Sequence, residues 1–108
     1  MTIALTEIWS KGASEVRNAA ISYVGKLDTD ELLTGTPTVT ATTGVTIASA
    51  SRNSTTMTID GASVLANQAV TFRVSGGTAG SSYTITSTCG TDATLAQTLI
   101  ATVRLLVV

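Results

Sequence analysis

The chain has 108 residues, a length that suits one domain with a single core and is too short for two. Only 12% of the residues are charged and 44% are hydrophobic, whereas free-standing soluble domains usually carry about 25% charged residues. We therefore expect neighbouring molecules to cover part of the surface. A net charge of −1 without a basic run argues against binding to nucleic acid or to an anionic membrane.

Side chains with catalytic or metal-binding chemistry are scarce. The chain has no histidine, so the commonest general base and zinc ligand is missing. Cys89 is the only cysteine, which rules out an intrachain disulfide and predicts a small buried apolar side chain. We expect no enzymatic activity, no cofactor and no bound metal.

The N-terminal residues 1–14 predict an arm or an edge segment that precedes the folded domain, residues 15–108. This segment has neither the basic region nor the long apolar region of a signal peptide. Its apolar side chains have no obvious partner within the chain, so we predict that they contact a neighbouring subunit, with a frayed terminus as the alternative. The predicted assembly contacts are Ile3, Leu5, Ile8 and Trp9.

The domain begins with a strand pattern and a charged turn. Residues 16–23 alternate in polarity and predict a strand. Residues 26–33 form the most charged stretch and predict a single helical turn, capped by Asp28 or Thr29. Pro37 is expected to open the next strand, where its missing N–H does little harm.

Three further short strands are predicted in the middle of the chain. Residues 37–42 predict a strand with its threonines on one face, and a turn at residues 43–44 leads into the next strand. That strand is expected to direct Ile47 and Ser49 to the same face. A shorter strand over residues 57–59 follows.

The clearest pattern is that of residues 70–87, which alternate in polarity, break at the glycine-rich residues 76–80 and alternate again. This pattern predicts an antiparallel β-hairpin with a long turn. A second turn is predicted at residues 90–92, ahead of a last strand over residues 95–107. The apolar face of that strand carries Leu99, Ala101, Val103, Leu105 and Val107.

Together these patterns predict about seven or eight short antiparallel strands separated by regular turns. Such spacing is typical of an all-β, immunoglobulin-like β-sandwich, here with an extended N-terminal segment. Because aromatic residues are few, the core is expected to be mainly aliphatic. The predicted core residues are Ile21, Val39, Val45, Ile47, Met57, Ile59, Val70, Phe72, Val74, Tyr83, Ile85, Val103 and Leu105.

Two stretches share features with binding loops. Residues 76–80 lack the Lys-Ser/Thr ending of a phosphate-binding loop and lie between strands, so we interpret them as a structural turn. Asp28, Asp30 and Glu31 lack the glycine and the distal glutamate of a calcium-binding loop. We interpret these three carboxylates as a solvated charged turn.

Several segments resemble one family. The residues from Val74 to Thr86, Val-Ser-Gly-Gly-Thr-Ala-Gly-Ser-Ser-Tyr-Thr-Ile-Thr, are similar to a segment of small tailed-phage and prophage proteins described as fibre–tail adaptors or neck components. Residues 44–47, 86–90 and 103–107 also resemble that family. Its first strand usually ends in Trp, where this chain has Tyr23. The resemblance covers the chain from about residue 15 onward and implies a virion structural protein with an immunoglobulin-like sandwich.

We therefore expect a virion structural protein of a tailed bacteriophage, made in the host cytoplasm. It would act as an adaptor in the neck or tail region, where it could link fibres to the tail. Its expected partners are copies of itself in a symmetric ring and other phage neck, tail or fibre proteins. The alternatives are a ligand- or glycan-binding β-sandwich that uses the loops at residues 51–54, 76–80 and 90–92, and a capsid-decorating immunoglobulin-like protein.

Overall fold

A computed structural model describes residues 8–59 and 61–108 of the protein, and of Ile8 only the backbone. The described residues form nine β-strands and no helix. The all-β prediction is therefore confirmed for this part of the chain. The strands are β1 (Ile8–Lys11), β2 (Arg17–Ser22), β3 (Leu33–Ala41), β4 (Val45–Arg52), β5 (Met57–Ile59), β6 (Ala62–Val64), β7 (Ala69–Gly76), β8 (Ser82–Thr91) and β9 (Thr98–Val107).

The nine strands form two larger sheets and one small one. The four-stranded sheet has the order β1-β9-β8-β3, and the three-stranded sheet has the order β2-β7-β4. Strands β5 and β6 pair only with each other. All pairs are antiparallel except β1 with β9, which is parallel and joins Trp9 to Leu105. The parallel strand lies within the N-terminal segment, and every pair among the strands of residues 15–108 is antiparallel as predicted.

One hydrophobic core lies between the two larger sheets. Strands β7, β8 and β9 alternate between buried and more exposed residues, because successive side chains point to opposite faces of a strand. Burial of each large aliphatic side chain contributes roughly 1.5–3 kcal/mol. The cluster contains Ile21, Tyr23, Leu33, Val70, Phe72, Val74, Tyr83, Ile85, Cys89, Ala101, Val103, Leu105 and Val107.

The predicted hairpin over residues 70–87 is wrong, although its strands and its turn exist. Strand β7 is the centre of the three-stranded sheet, and β8 lies inside the four-stranded sheet. Residues 77–81 therefore carry the chain from one sheet to the other. The alternation of polar and apolar residues shows which side chains face the core, but it does not show which strands pair. Two hydrogen-bonded strands of one sheet and two strands that face each other across the core have the same alternation.

The predicted helical turn over residues 26–33 is also wrong. The Glu31 carboxylate accepts a hydrogen bond from the Asp28 N–H at 2.9 Å, and the Glu31 N–H donates to the Asp28 carbonyl at 3.0 Å. Asp30 has a φ of 63°, in the left-handed region that interrupts a right-handed helix. These contacts form a compact turn.

Two bulges shift the predicted strand boundaries and faces. Strand β3 begins at Leu33, so Pro37 lies within it, in a stretch where the register shifts. Strand β4 has a similar shift near Ser49, which has a φ of 58°. Ser49 is consequently exposed, and Ala50 packs against the core instead.

The predicted core list was incomplete at both ends of the sandwich. Met57 and Ile59 are only half-buried and lie outside the core cluster, because they belong to the small β5–β6 ladder. The predicted turn at residues 90–92 falls later, between the end of β8 and the start of β9. The core cluster also contains Tyr23 and Leu33, which were not predicted to be buried. Cys89, Ala101 and Val107 were absent from the predicted core list, although Cys89 was predicted to be buried and the other two to lie on an apolar face.

Candidate functional site

Two of the four outer strands of the larger sheets carry features that hinder pairing with another chain. Natural sheets protect their edges with bulges, proline, charged residues or very short strands. Strand β3 contains Pro37 and a register shift, and β4 contains the shift near Ser49. The described part of β1, Ile8–Lys11, contains neither proline nor a register shift.

Strand β2 is an outer strand, described over its whole length, that has neither a bulge nor a proline. Its six residues pair with β7 in one continuous register, from Arg17 opposite Val74 to Ser22 opposite Ala69. It contains no proline, and its single charge lies at its first residue. Within residues 8–59 and 61–108, no backbone hydrogen bond from a strand other than β7 reaches residues 18–21. We define the outward side of β2 as the β2 edge.

Trp9 closes the sandwich beside the β2 edge. Its ring lies 6.0 Å from the Phe72 ring, at an interplanar angle of 28°, and packs against the core cluster. Trp9 therefore has an intrachain partner, which the sequence did not indicate, but its ring is only half-buried. Ile3 and Leu5 lie outside the described residues, as does the side chain of Ile8. The role of these four residues as assembly contacts stays a prediction.

The outer face of β9, on the solvent side of the four-stranded sheet, exposes apolar side chains. Ile100 is 52% exposed and Leu106 is 38% exposed, and Val108 follows the strand with 65% exposed. Arg104 lies between the first two on this face. We name Ile100, Leu106 and Val108 the β9 outer row. Aliphatic side chains of this size gain free energy when a neighbour covers them.

The surface residues of the β2 edge were missed in the sequence analysis. The available signal was the run Asn18 to Ser22, which lacks charge, glycine and proline. The β9 outer row also had a signal, because Ile100 and Leu106 make the second face of the last strand partly apolar as well.

The three loops considered for ligand binding do not come together. Gly77 is close to Val107, at the end of β9, whereas Gly90 is paired with Thr98, at its beginning. Nine residues of a strand span roughly 30 Å, so these two loops lie at opposite ends of the sandwich. Residues 51–54 are at the same end as Gly90, because Asn53 bonds to Ala69 at the start of β7.

The carboxylates of Asp28 and Glu31 in the charged turn accept hydrogen bonds from uncharged groups. The Gln97 Nε2 group donates to Asp28 Oδ2 at 3.0 Å and lies 3.0 and 3.2 Å from the two oxygens of Glu31. The Asp28 N–H, donated to the Glu31 carboxylate, holds the pKa of Glu31 below its usual range. Asp30 is exposed. No group of three or more metal-ligating residues occurs in the described parts of the chain.

The glycine-rich residues 76–80 pack against Tyr83. The Thr78 N–H donates to the Tyr83 hydroxyl at 2.8 Å, which lowers the pKa of Tyr83. Gly77 has a φ of 96°, and a side chain there would meet Val107 and Tyr83. The interpretation of this segment as a structural turn agrees with these contacts.

Cys89 is buried in the core, as the sequence predicted. Burial raises the pKa of its thiol, so the thiolate form that attacks electrophiles or binds metals is disfavoured. Tyr23 is likewise buried, and its hydroxyl lies 2.7 Å from Ser87 Oγ. Burial raises the pKa of Tyr23 as well. These groups stabilise the fold rather than present reactive chemistry.

No protein-family model, no curated protein and no solved structure matches this chain. No helix among residues 8–59 and 61–108 is long and apolar enough to cross a membrane. The geometry therefore supplies the argument about function. Its main features are the β2 edge, Trp9 and the β9 outer row.

Proposed function

We propose that the protein is a structural subunit of a tailed-phage particle, an adaptor in the neck or tail region that assembles into a symmetric ring. In this proposal the chain is a rigid immunoglobulin-like sandwich, and it is not an enzyme. Its partners are copies of itself and other neck, tail or fibre proteins. The assignment to a phage rests on the sequence resemblance of residues 15–108.

The observation that carries the assembly part of the proposal is that the described residues include both an unpaired strand edge and a row of exposed apolar side chains. The β2 edge and the half-buried Trp9 lie together, and the β9 outer row is on the strand next to β1. Only 12% of the residues are charged, so there is little electrostatic repulsion to oppose association through this surface. A contact of this kind, repeated around a ring, gains strength from multivalency.

The glycan-binding alternative has less support. Glycan-binding surfaces usually present aromatic rings. The loops at residues 51–54, 76–80 and 90–92 contain no aromatic residue, and the loop at residues 76–80 lies at the opposite end of the sandwich from the other two. The single tryptophan stacks on Phe72 inside the chain.

The proposal is tested on virions and on the purified protein. Mass spectrometry of gradient-purified virions from a host that produces the encoding phage should detect the chain, and an epitope tag should be visible at the neck or tail by electron microscopy. In solution, light scattering should give a mass that is a multiple of the subunit mass. A chain that is missing from virions and monomeric at high concentration contradicts the proposal.

A point substitution sharpens the test of the surface. Ile100→Asp places a charge in the β9 outer row, and Thr38→Asp places the same charge on β3, at the far edge of the same sheet. Loss of the burial of one isoleucine costs about 1.5–3 kcal/mol, and each 1.4 kcal/mol is about tenfold in affinity. Ile100→Asp should weaken self-association at least tenfold, and Thr38→Asp should not. Equal effects of the two variants would place the interface elsewhere.

A further inference from the structure

We infer that the two ends of the sandwich bind each other between copies of the chain, so that copies join head to tail. The glycine end contains residues 12–17 and 76–81, and the polar end contains residues 24–32, 51–54 and 90–97. The inference rests on the self-association in the proposed function and adds a contact at the ends of the strands. This contact is distinct from one through the outer face of β9.

Basic side chains are concentrated at the glycine end. Lys11 is paired with the last residue of β9, and Arg17 begins β2 at the same end. Arg73 and Arg104 each lie three residues before the end of a strand, which is about 10 Å. Glu15 is the only acidic side chain described at this end. The described side chains therefore carry a net charge of +3 there, or +2 with a C-terminal carboxylate.

Acidic side chains are concentrated at the polar end. Four acidic and two basic side chains are described there, which gives a net charge of −2. Three of the acidic residues lie in the turn between β2 and β3, and the fourth directly follows β8. The acidic residues are Asp28, Asp30, Glu31 and Asp92, and the basic residues are Lys26 and Arg52. Glu7 and Asp60 lie outside the described residues and are not counted.

Neither end neutralises its charge with ion pairs of its own. The pair between Arg17 and Glu15, at 3.4 Å, is the only one in the described parts of the chain. Lys11 is buried, and its Nζ donates to two backbone carbonyls. At the polar end, Arg52 donates to a carbonyl and an amide oxygen, and the hydrogen-bonded carboxylates accept from uncharged N–H groups. Both ends therefore keep most of their charge for a partner.

The opposite charges of the two ends can meet only between two copies. Strand β9 separates the ends by roughly 30 Å, which is longer than the distance of about 10 Å over which exposed charges interact in 0.1 M salt. Contact between two glycine ends or two polar ends would place like charges together, which costs free energy. Contact of a glycine end with a polar end pairs opposite charges, so charge favours the head-to-tail arrangement.

Exposed apolar side chains at both ends favour the same contact. At the polar end, Leu95 is 87% exposed and Leu65 is 57% exposed. At the glycine end, Val16 is 56% exposed and Val108 is 65% exposed. A contact between the ends would cover these side chains, and their burial adds free energy to the attraction between charges. The two ends thus combine apolar side chains with complementary charge, as interfaces between proteins do.

A head-to-tail contact can repeat from copy to copy. A dimer joined in this way still has one glycine end and one polar end without a partner, so further copies can add. Such a contact closes into a ring where the rotation between copies allows it, and otherwise it gives a filament. In both cases the charged part of the contact weakens as the salt concentration rises.

Cross-linking between two differently labelled chains tests the arrangement. In a Cys89→Ala background, one full-length chain carries Thr94→Cys at the polar end and the other carries Ser14→Cys at the glycine end, both at exposed positions. A short bis-maleimide joins thiols of neighbouring copies, and a peptide tag on one chain separates the three possible dimers by mass. After correction for random mixing, the mixed dimer should exceed either same-end dimer by about fivefold or more.

Salt should reduce the excess of the mixed dimer. Raising sodium chloride from about 0.02 M to about 0.5 M shortens the screening length from roughly 20 Å to roughly 4 Å, so the three yields should approach one another. A same-end dimer that predominates at low salt overturns the inference, and equal yields at both salt concentrations overturn it as well. Far-UV circular dichroism and a melting curve confirm that each variant is folded before yields are compared.

Charge variants locate the contact at the ends of the sandwich. Asp30→Lys on the Thr94→Cys chain changes the net charge of the polar end from −2 to 0 and should lower the yield of mixed dimer about twofold to fivefold. The double variant Thr38→Lys and Thr40→Lys is the matched control, because it adds the same charge at exposed positions near the middle of the four-stranded sheet. The control should leave the yield unchanged. An equal loss in the two variants would contradict a contact at the ends.

Failure of the inference differs from failure of the proposed function. A protein that is present in virions and oligomeric, but gives no excess of mixed dimer, refutes the head-to-tail contact and leaves the adaptor function standing. A protein that cross-links as expected but is missing from virions refutes the function and leaves the head-to-tail contact standing.

Discussion

The two ends of the sandwich are closed by different chemistry. At the end where β7 leads into β8, the backbone itself closes the core, because Gly77 lies against Val107 and the Thr78 N–H bonds to the Tyr83 hydroxyl. At the opposite end, polar side chains hold the loops. Asn53 and Glu31 are both buried there and accept hydrogen bonds from backbone N–H groups. The glycine end depends on the absence of side chains, and the polar end depends on their presence.

The largest effect is expected at the polar end, from Asn53→Ala. Asn53 Oδ1 accepts from the N–H groups of Gln68 and Ala69 at 3.1 and 3.0 Å, and its Nδ2 donates to the carbonyls of Thr55 and Leu65. Loss of these bonds leaves buried backbone groups unpaired and should lower the free energy of unfolding by about 3 kcal/mol. Urea unfolding measures this change.

Asn18→Ala is the control for the effect of Asn53. Asn18 is exposed and accepts one hydrogen bond, from Arg73 Nε at 3.3 Å. Its substitution should change the free energy of unfolding by no more than about 0.5 kcal/mol. Similar losses for the two asparagines would mean that the polar end does not hold its loops in this way.

The glycine end is tested by Gly77→Ala against Gly80→Ala. Both residues have positive φ, 96° and 86°, but a Cβ at Gly77 would lie 2.7 Å from Val107 Cγ2, and a Cβ at Gly80 would meet nothing within 4 Å. Gly80→Ala should cost about 1 kcal/mol from the backbone alone, and Gly77→Ala about 2–3 kcal/mol. Melting temperatures would resolve the difference, and equal losses would show that backbone conformation alone matters at this end.

The smallest effect is a pH dependence that only the polar end should show. The pKa of Glu31 is lowered in the folded state, chiefly by the Asp28 N–H, so its stabilising effect is complete above the pKa of the unfolded chain. It is lost as the pH falls towards the lowered pKa of the folded state. Wild-type protein should therefore lose stability on acidification, and Glu31→Gln should lose less.

Urea midpoints between about pH 3 and pH 7 measure this difference. Asp30→Asn is the matched control, because Asp30 lies in the same turn but is exposed, and asparagine tolerates its positive φ. The control should follow the wild-type curve. An unchanged slope in Glu31→Gln would show that Glu31 contributes no stability through its ionised form.

The sequence predicted local features well where the side-chain period alone decides them. The core faces of β7 and β9 follow directly from the alternation of Val70, Phe72 and Val74 and of Val103 and Leu105. The prediction was wrong where one residue interrupts the period. A bulge adds one residue to β4, so Ala50 faces the core in place of Ser49. Nothing in the residue types indicates that bulge.

The candidate interface was only partly predictable for a related reason. The apolar N-terminal segment was visible in the sequence, but the β2 edge was not, because a strand at an edge and a strand inside a sheet have the same alternation. Trp9 was assigned to a neighbour although its ring reaches Phe72. That contact joins residues 63 positions apart, and no local pattern encodes it.

The sequence by itself determined an all-β chain with an aliphatic core, a buried thiol at Cys89 and a glycine-rich turn at residues 76–80. These features depend on side-chain period, size and backbone freedom, which are local properties. The tertiary structure alone decided that β7 and β8 belong to different sheets, that β2 has an open edge and that Asn53 and Glu31 close one end. Strand partners and buried polar bonds depend on how distant segments meet, and that is settled only when the two sheets pack together.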